Sequence, residues 1–340
     1  MNARRKLALD RVLAKPVAFL LELIVWPLGK IFSLDHSDSP ERVKVIAIAK
    51  IVGMGSILRS TPLIRALKRR YPSARYIFIT SLSNKSIIES LPFFDKHLYL
   101  NDSSPLKLLT GFLVLLLELW KSKVDLYFDL EVYSAFSTIL ATLSLARNRY
   151  GFYKDTTRFR LGLHTHLVYF NEHQHISRIY LQLARACGAI DIDNDYKMEK
   201  VNIEDDKKAE LKEWLEANNI KEDSLGIAIN PNASDLLLER RWPMDYFVSL
   251  INALAKDWRG PIFLLGGLNE RRYNDCLYLK LSQEAKKIVF NTAGWLSLQA
   301  VMIIISRAKL MITNDSGLYH IASSFDAPVI SLWGPGHPEH

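Results

Sequence analysis

The sequence predicts an α/β protein made of two doubly wound, mostly parallel sheets. Three observations carry this expectation. Short β-branched runs alternate with helix-length stretches, the alternation stops at a charged segment, and it then restarts. The 340 residues are 49% apolar and 24% charged, with 44 Lys and Arg against 36 Asp and Glu. Such proportions exclude a disordered tail, a collagen-like repeat and a polytopic membrane protein. The length suits two domains with sizeable cores. Two cysteines, Cys187 and Cys276, are too few for a disulfide framework and favour a reducing compartment. The net charge of +8 fits nucleic acid, lipid, an anionic substrate, or a basic surface with no partner.

Residues 1–42 differ in composition from the rest. Arg4, Arg5, Lys6, Arg11, Lys15 and Lys30 face only Asp10 and Glu22, around the apolar run Val17 to Trp26. That run is half of the roughly 20 residues a spanning helix needs, and Pro16 and Pro27 close it. A basic start with a short apolar core resembles a signal peptide, but no small-residue cleavage site follows. The basic, Trp-bearing composition favours a helix at the membrane–water interface. Packing on the domain's own surface and a cleaved signal are the other readings. His36 to Arg42 reads as a polar linker.

Strands are predicted at 43–49, 75–80, 97–100 and 124–130, with helices at 57–70, 84–91 and 106–120 between them. Pro62 sits near the first turn of the helix at 57–70. The polar stretch 191–222 holds one helix, at 205–218. Strands then recur at 225–230, 261–265, 287–290, 310–313 and 329–332, with helices at 244–256, 269–281, 297–307 and 317–324. Two such sheets leave a cleft at the carboxyl ends of their strands, where open α/β proteins bind ligands.

Three loops carry chemistry. Asn314-Asp-Ser-Gly-Leu-Tyr-His320 follows a strand and opens a helix, so the free N–H groups of Ser316, Gly317 and Leu318 suit an anion. An N-cap with a tight turn is its plainer reading. Asn230-Pro-Asn-Ala-Ser234 runs on to Arg240-Arg-Trp-Pro243, exposing Ser234 and offering the Arg240 fork to a pyrophosphate. Gly266-Gly267 permits a sharp turn, and Glu270 suits either a ribose hydroxyl or its own helix dipole.

The order Gly53-Met-Gly-Ser-Ile-Leu-Arg-Ser-Thr-Pro62, Tyr71-Pro72, Pro231-Asn-Ala-Ser234, Arg240-Arg-Trp-Pro243, Gly266-Gly267, Asn314 to His320 and Trp333-Gly-Pro-Gly-His-Pro338 resembles one family. It is similar to the ADP-heptose:lipopolysaccharide heptosyltransferases, glycosyltransferase family 9, over about residues 43–338. Val124-Asp-Leu to Asp129 and Arg149-Tyr-Gly-Phe152 fall where that family has comparable segments. The resemblance implies a GT-B fold, two Rossmann-like doubly wound domains facing across a cleft. It divides the chain into an extension (1–42), an acceptor domain (43–200), a linker (201–224) and a nucleotide-sugar domain (225–340). It implies inverting transfer of heptose, or a related sugar, from an ADP-sugar to a lipopolysaccharide core or other lipid-linked glycan, with no metal and no cofactor.

Carried over by position, Asp315, Ser316, Gly317, Leu318 and His320 match the donor-phosphate loop; Gly267 and Glu270, read from their own loop toward a ribose or base, are further donor-binding candidates. Ser234 matches a hydroxyl near the phosphates. Arg240 stands where Lys is usual, and Lys50 matches a basic residue of the first loop. The departure is Ser56. The family's first loop usually reads Gly-Asp, the Asp being the acceptor's base, and a serine cannot serve as a carboxylate does. A rescue by Asp129 or Glu131, activation by placement alone, or a chain that binds without transferring are the three outcomes. Another donor, or a capsule, O-antigen or protein acceptor, are the alternatives within the enzyme class.

Two basic clusters fall in the acceptor half, Arg59 to Arg75 and Arg147 to Arg160 with His164 and His166. They fit an anionic glycolipid, with Arg59 and Arg149 as candidate contacts, or a solvated face. No nucleic-acid motif accompanies the charge, so no nucleic-acid partner is expected. The implied location is cytoplasmic and peripheral on the inner membrane's inner face. Family members usually continue some tens of residues beyond the Trp333 to Pro338 turn, so the second half reads as short.

Overall fold

The computed structural model describes residues 8, 10–32, 35–190, 195–222, 226–233 and 238–334. Its contacts divide the chain between Met198 and Glu199 into two compact units. In the first, helix α1 (Lys15–Phe32) precedes β1 (Val45–Ala49), α2 (Met54–Arg59), α3 (Thr61–Arg70), β2 (Arg75–Ser81), α4 (Lys85–Glu89) and β3 (Lys96–Leu100). There follow α5 (Pro105–Ser122), β4 (Leu126–Asp129), α6 (Ala135–Leu143), β5 (Asn148–Tyr153), β6 (His166–Tyr169) and α7 (Ile176–Ala186). The strands form one sheet in the order β3-β2-β1-β4-β5-β6, parallel throughout.

Side chains of alternate strand residues point to opposite faces. Val45, Ala47, Ala49, Ile77 and Ile79 pack with Leu115 and Leu119 of α5 and Leu140 of α6. Ile46 and Ile48 are equally buried on the other side, and α3 packs against α7. The sheet is therefore covered on both faces, as all-parallel sheets require.

The helix expected at 57–70 is two helices. Pro62 has no N–H to give to the Leu58 carbonyl, and the Thr61 hydroxyl donates to it instead at 2.6 Å. The Ser60 hydroxyl likewise donates to the Ile57 carbonyl at 2.7 Å. Residues 131–190 held no element in the sequence reading and contain α6, β5, β6 and α7.

At the N-terminus, the helix runs through Pro27 to Phe32, twice the length its apolar run suggested. Its window Val12–Gly29 is long and apolar enough to cross a membrane by length and composition, yet the helix lies on the unit's own surface. Ala14, Ala18, Leu21 and Val25 form a narrow inner stripe against Ala135, Ile139 and Leu163. Asp10 secures it: its carboxylate accepts from Ser134 Oγ and from the N–H groups of Ala135 and Phe136, at 2.9–3.0 Å, capping α6.

The second unit opens with α8 (Asp205–Ala217), β7 (Ile227–Asn230), α9 (Met244–Asp257), β8 (Ile262–Leu264), α10 (Arg271–Leu279) and α11 (Gln283–Lys286). It closes with β9 (Val289–Asn291), α12 (Leu298–Arg307), β10 (Leu310–Asn314), α13 (Gly317–Ser324) and β11 (Val329–Leu332). Its parallel sheet runs β11-β10-β7-β8-β9, over a core that includes Ile229, Phe247, Leu264 and Ile312. Glu210 of α8 accepts from both the N–H and the hydroxyl of Ser297, at 2.6 and 2.7 Å, capping α12.

Gly226 precedes β7 with its backbone against the next strand's entry, and a Cβ there would lie 2.1 Å from the Pro261 carbonyl oxygen. A Gly226→Ala variant forces β7 and β8 apart at their start. It is expected to lose roughly 1–3 kcal/mol of stability, read from a denaturant midpoint.

Candidate functional site

In the first unit the chemistry gathers at the carboxyl ends of β1 and β4. Lys50 leaves β1 nearly buried, its ammonium 2.9 Å from Glu131 Oε2. Burial works against that charge, but Glu131 outweighs it and holds the ammonium pKa above its ordinary value. The other oxygen of Glu131 accepts from the N–H groups of Ile51 and Val52, at 2.8 and 2.9 Å. Three donors thus occupy a carboxylate that has about four acceptor sites. Ser56 is half-buried in α2, which packs against α7 and the buried Tyr180 phenol, and that phenol also feels the charges of Lys50, Glu131 and Arg59. Lys50, Ser56, Glu131, Arg59 and Tyr180 therefore form one cluster. Sequence reasoning missed Tyr180 because it lies in α7, where no element was expected.

Asp129 lies beneath this cluster with no exposed surface. Its Oδ2 is 2.8 Å from the Arg160 guanidinium, and its Oδ1 accepts from Ser137 Oγ at 2.5 Å and from the Glu131 N–H at 3.1 Å. Burial alone would raise its pKa, and Arg160 with Ser137 holds it below the usual carboxylate value. Arg160 also donates to the carbonyls of Glu131 and Phe152. The pair is sealed, and it fixes the backbone that presents Glu131. Arg149 is likewise occupied, donating to the carbonyls of Leu163 and Ala146 at 2.7 Å, and burial lowers its pKa to about 10.

The first basic cluster is also tied to its own chain. Arg65 and Arg69 each reach Asp195 at 2.6 Å, and Arg70 donates to the Gly188 carbonyl at 2.9 Å.

In the second unit, Asp315 follows β10 and its Oδ2 lies 3.1 Å from the Arg240 guanidinium. Arg240 Nε is buried and has no hydrogen-bond partner among the described residues. Ser316 stands at the N-cap position of α13 without a side-chain cap bond, and Gly317, Leu318 and His320 occupy that helix's first turn. Ser234, expected near the phosphates, lies outside the described residues. Glu270 turns back on the Gly267 N–H at 2.7 Å, so it caps its own turn. The tight glycine is Gly266, where a Cβ would meet Asn232 Nδ2 at 2.9 Å, whereas Gly267 is open.

What the sequence reading missed here is a set of asparagines that binds the loops together. Asn230 Nδ2 donates to Thr313 Oγ1 and to Ser316 Oγ, at 3.1 and 2.9 Å. Asn314 accepts from the Trp242 N–H and donates to the Asn232 carbonyl, at 3.1 and 3.2 Å. Asn232 and Asn274 both donate to the Leu265 carbonyl, at 3.0 Å. Asn230, Asn291 and Asn314 each end a strand, a signal that was open to the sequence. Arg241 stacks over the Tyr273 ring at 4.4 Å and donates to the Ala233 carbonyl. No cluster of three or more metal-ligating side chains occurs among the described residues.

Comparison with known proteins bears on this geometry. The profile of glycosyltransferase family 9 (heptosyltransferase) matches residues 119–340. The chain belongs to glycosyltransferase family 9. Lipopolysaccharide heptosyltransferase 2 of Salmonella typhimurium is 30% identical over 100 residues, which are 29% of this chain and only 28% of that protein. Lipooligosaccharide heptosyltransferase 2 of Campylobacter jejuni is 23% identical over 83% of this chain and 79% of its own length. Among solved structures, the E. coli ADP-heptose lipopolysaccharide heptosyltransferase II superposes with a TM-score of 0.72 at 20% identity, covering 87% of this chain and 86% of that one. The two parallel-sheet units are those of the GT-B fold expected for family 9.

Beneath the Lys50–Glu131 cluster, the His164 ring is fully buried, its Nε2 3.3 Å from Asp129 Oδ2 but out of line for a hydrogen bond. Burial, helped by the Arg160 charge, lowers its pKa to about 4 despite Asp129. The ring is neutral in the fold and takes up a proton in the unfolded chain below about pH 6.5. Stability is therefore lost as pH falls from about 6.5 toward 4. Asp129 acts in a separate window, lost only below the ordinary carboxylate range. Between pH 7.5 and 5 the His164 contribution is about 2 kcal/mol. A His164→Asn variant is expected to show a correspondingly flatter stability profile across that range in denaturant titrations.

Proposed function

We propose that this family 9 chain transfers heptose, or a related sugar, from an ADP-sugar to a lipopolysaccharide core, inverting the anomeric carbon. The observation that carries the reading is the Arg240–Asp315 pair at the turn from β10 into α13. A carboxylate fixes the Arg fork beside a helix N-terminus, an arrangement suited to a diphosphate. In the proposed step, an acceptor hydroxyl attacks the anomeric carbon as the bond to the diphosphate oxygen breaks. The charge that grows on the departing ADP is met by Arg240 and by the N–H groups that open α13. A single displacement of this kind inverts the centre.

The acceptor's proton goes to Glu131 in this scheme. Glu131 keeps one acceptor site and lies within the Lys50 and Ser56 cluster, whereas Asp129 is sealed below it. Lys50, nearly buried and charged, would face the anionic glycolipid. The location that fits such an acceptor is the cytoplasmic face of the inner membrane, with the protein peripheral and the apolar α1 against the lipid.

Transfer from ADP-heptose to a core-truncated glycolipid is the direct test. Glu131→Gln is expected to lower kcat by about 10²- to 10⁴-fold while ADP binding, read by calorimetry, holds. Wild-type turnover in Glu131→Gln would remove Glu131 as the base, and no transfer by the native chain from any donor would leave a nucleotide-sugar-binding scaffold. Arg240→Lys keeps the charge and loses the fork, so its ADP affinity is expected to fall about tenfold.

A further inference from the structure

A second apolar helix lies in the same layer of the first unit as α1. Both α5 and α1 have 18 residues, and both flank α6. Phe112 of α5 shares a packed cluster with Ala14, Ala18 and Leu21 at the N-terminal segment. Only Leu115, Leu116 and Leu119 of α5 are buried. Its outer face carries Leu106, Leu109, Leu113, Val114, Leu117 and Trp120, all 44–70% exposed. On α1, Phe19, Leu20, Leu23, Ile24 and Trp26 are 53–59% exposed. Leu145, 74% exposed in a left-handed conformation, continues the surface from Leu143, whose carbonyl accepts from the Trp120 indole at 2.7 Å. Soluble monomers rarely expose contiguous apolar area of this extent.

We propose that α1 and α5 together form one platform lying in the plane of an anionic bilayer, with α5 as a docking element in its own right. This deepens the peripheral placement proposed above and does not depend on the transfer reaction. Charge selects lipid as the occupant. Lys15, Lys107, Lys121, Lys123 and Arg158 stand on the two helices or beside them. Of the acids here, Asp10 caps α6, Glu118 pairs with both Lys96 and Lys121, and Glu22 packs against Gly162 on the unit's own surface. Exposed tryptophans at Trp26 and Trp120 suit the level of the headgroups. The inner stripe of α1 and the three hydrogen bonds to Asp10 hold that helix along the domain, which makes in-plane docking its geometry.

The test is co-sedimentation of the full chain with phosphatidylglycerol-containing vesicles. It is run beside a double variant, Leu113→Glu and Leu117→Glu, both on the exposed face. The wild type is expected to partition onto anionic vesicles and to stay on neutral phosphatidylcholine far less. The double variant should lose at least tenfold in partitioning, with its thermal midpoint and ADP affinity unchanged. Wild-type partitioning in the variant would overturn the proposal, leaving α1 as the sole anchor. A wild-type dimer in vesicle-free solution that the variant dissolves would also overturn it, assigning the face to a second copy. Vesicle binding without any sugar transfer would leave the platform standing and count only against the proposed reaction.

Discussion

The first unit depends on one ion pair that has no contact with water. Asp129 and Arg160 meet with neither side chain exposed, at the end of β4. An isolated buried charge is prohibitively costly, and removing one partner of such a pair typically costs about 3–5 kcal/mol. The pair makes further bonds that fix its surroundings. Through Ser137 it orients α6, and through the Glu131 N–H and carbonyl it fixes the chain that leaves β4. Glu131 then gathers Lys50 and the first loop. The surface around Lys50 and Glu131 is a consequence of charges that never reach it.

The second unit solves the same problem with neutral groups. Asn230, Asn232, Asn274 and Asn314 join the loops that follow β7, β8 and β10 by side-chain amides. Each amide offers donors and an acceptor, so it can bridge loops without the desolvation cost of an ion. Arg240 and Asp315 sit at the edge of that network with a direction already set. One unit positions a carboxylate by burying ions, and the other positions a guanidinium by amides.

The sequence made the α/β class legible because parallel strands buried on both faces read as β-branched runs. It lost β5 and β6, whose Asn148-Arg-Tyr and His166 openings are polar or aromatic and whose positions lie at one side of the sheet. It lost α6 because Ala135 to Leu143 is buried on nearly every side, so its Ser and Thr residues mark no solvent-facing stripe. The turn at Asp315, proposed above to meet the donor, was readable as a motif, since its residues are contiguous. Ser56 and Tyr180 were not, because 124 positions separate them and only folding brings them together. The asparagines looked like turn formers, which is the commoner role of that residue.

Asp10 bonds to residues 134–136, and Ala18 packs on Ala135, Ile139 and Leu163. A chain made from its N-terminus therefore carries this apolar helix through synthesis of more than a hundred residues before the surface that receives it exists. Its docking is a long-range closure of the kind that contributes to slow folding. Until residues 134–163 are in place α1 has no inner surface to pack on, and the Asp10 cap of α6 is what then joins that helix to the finished unit.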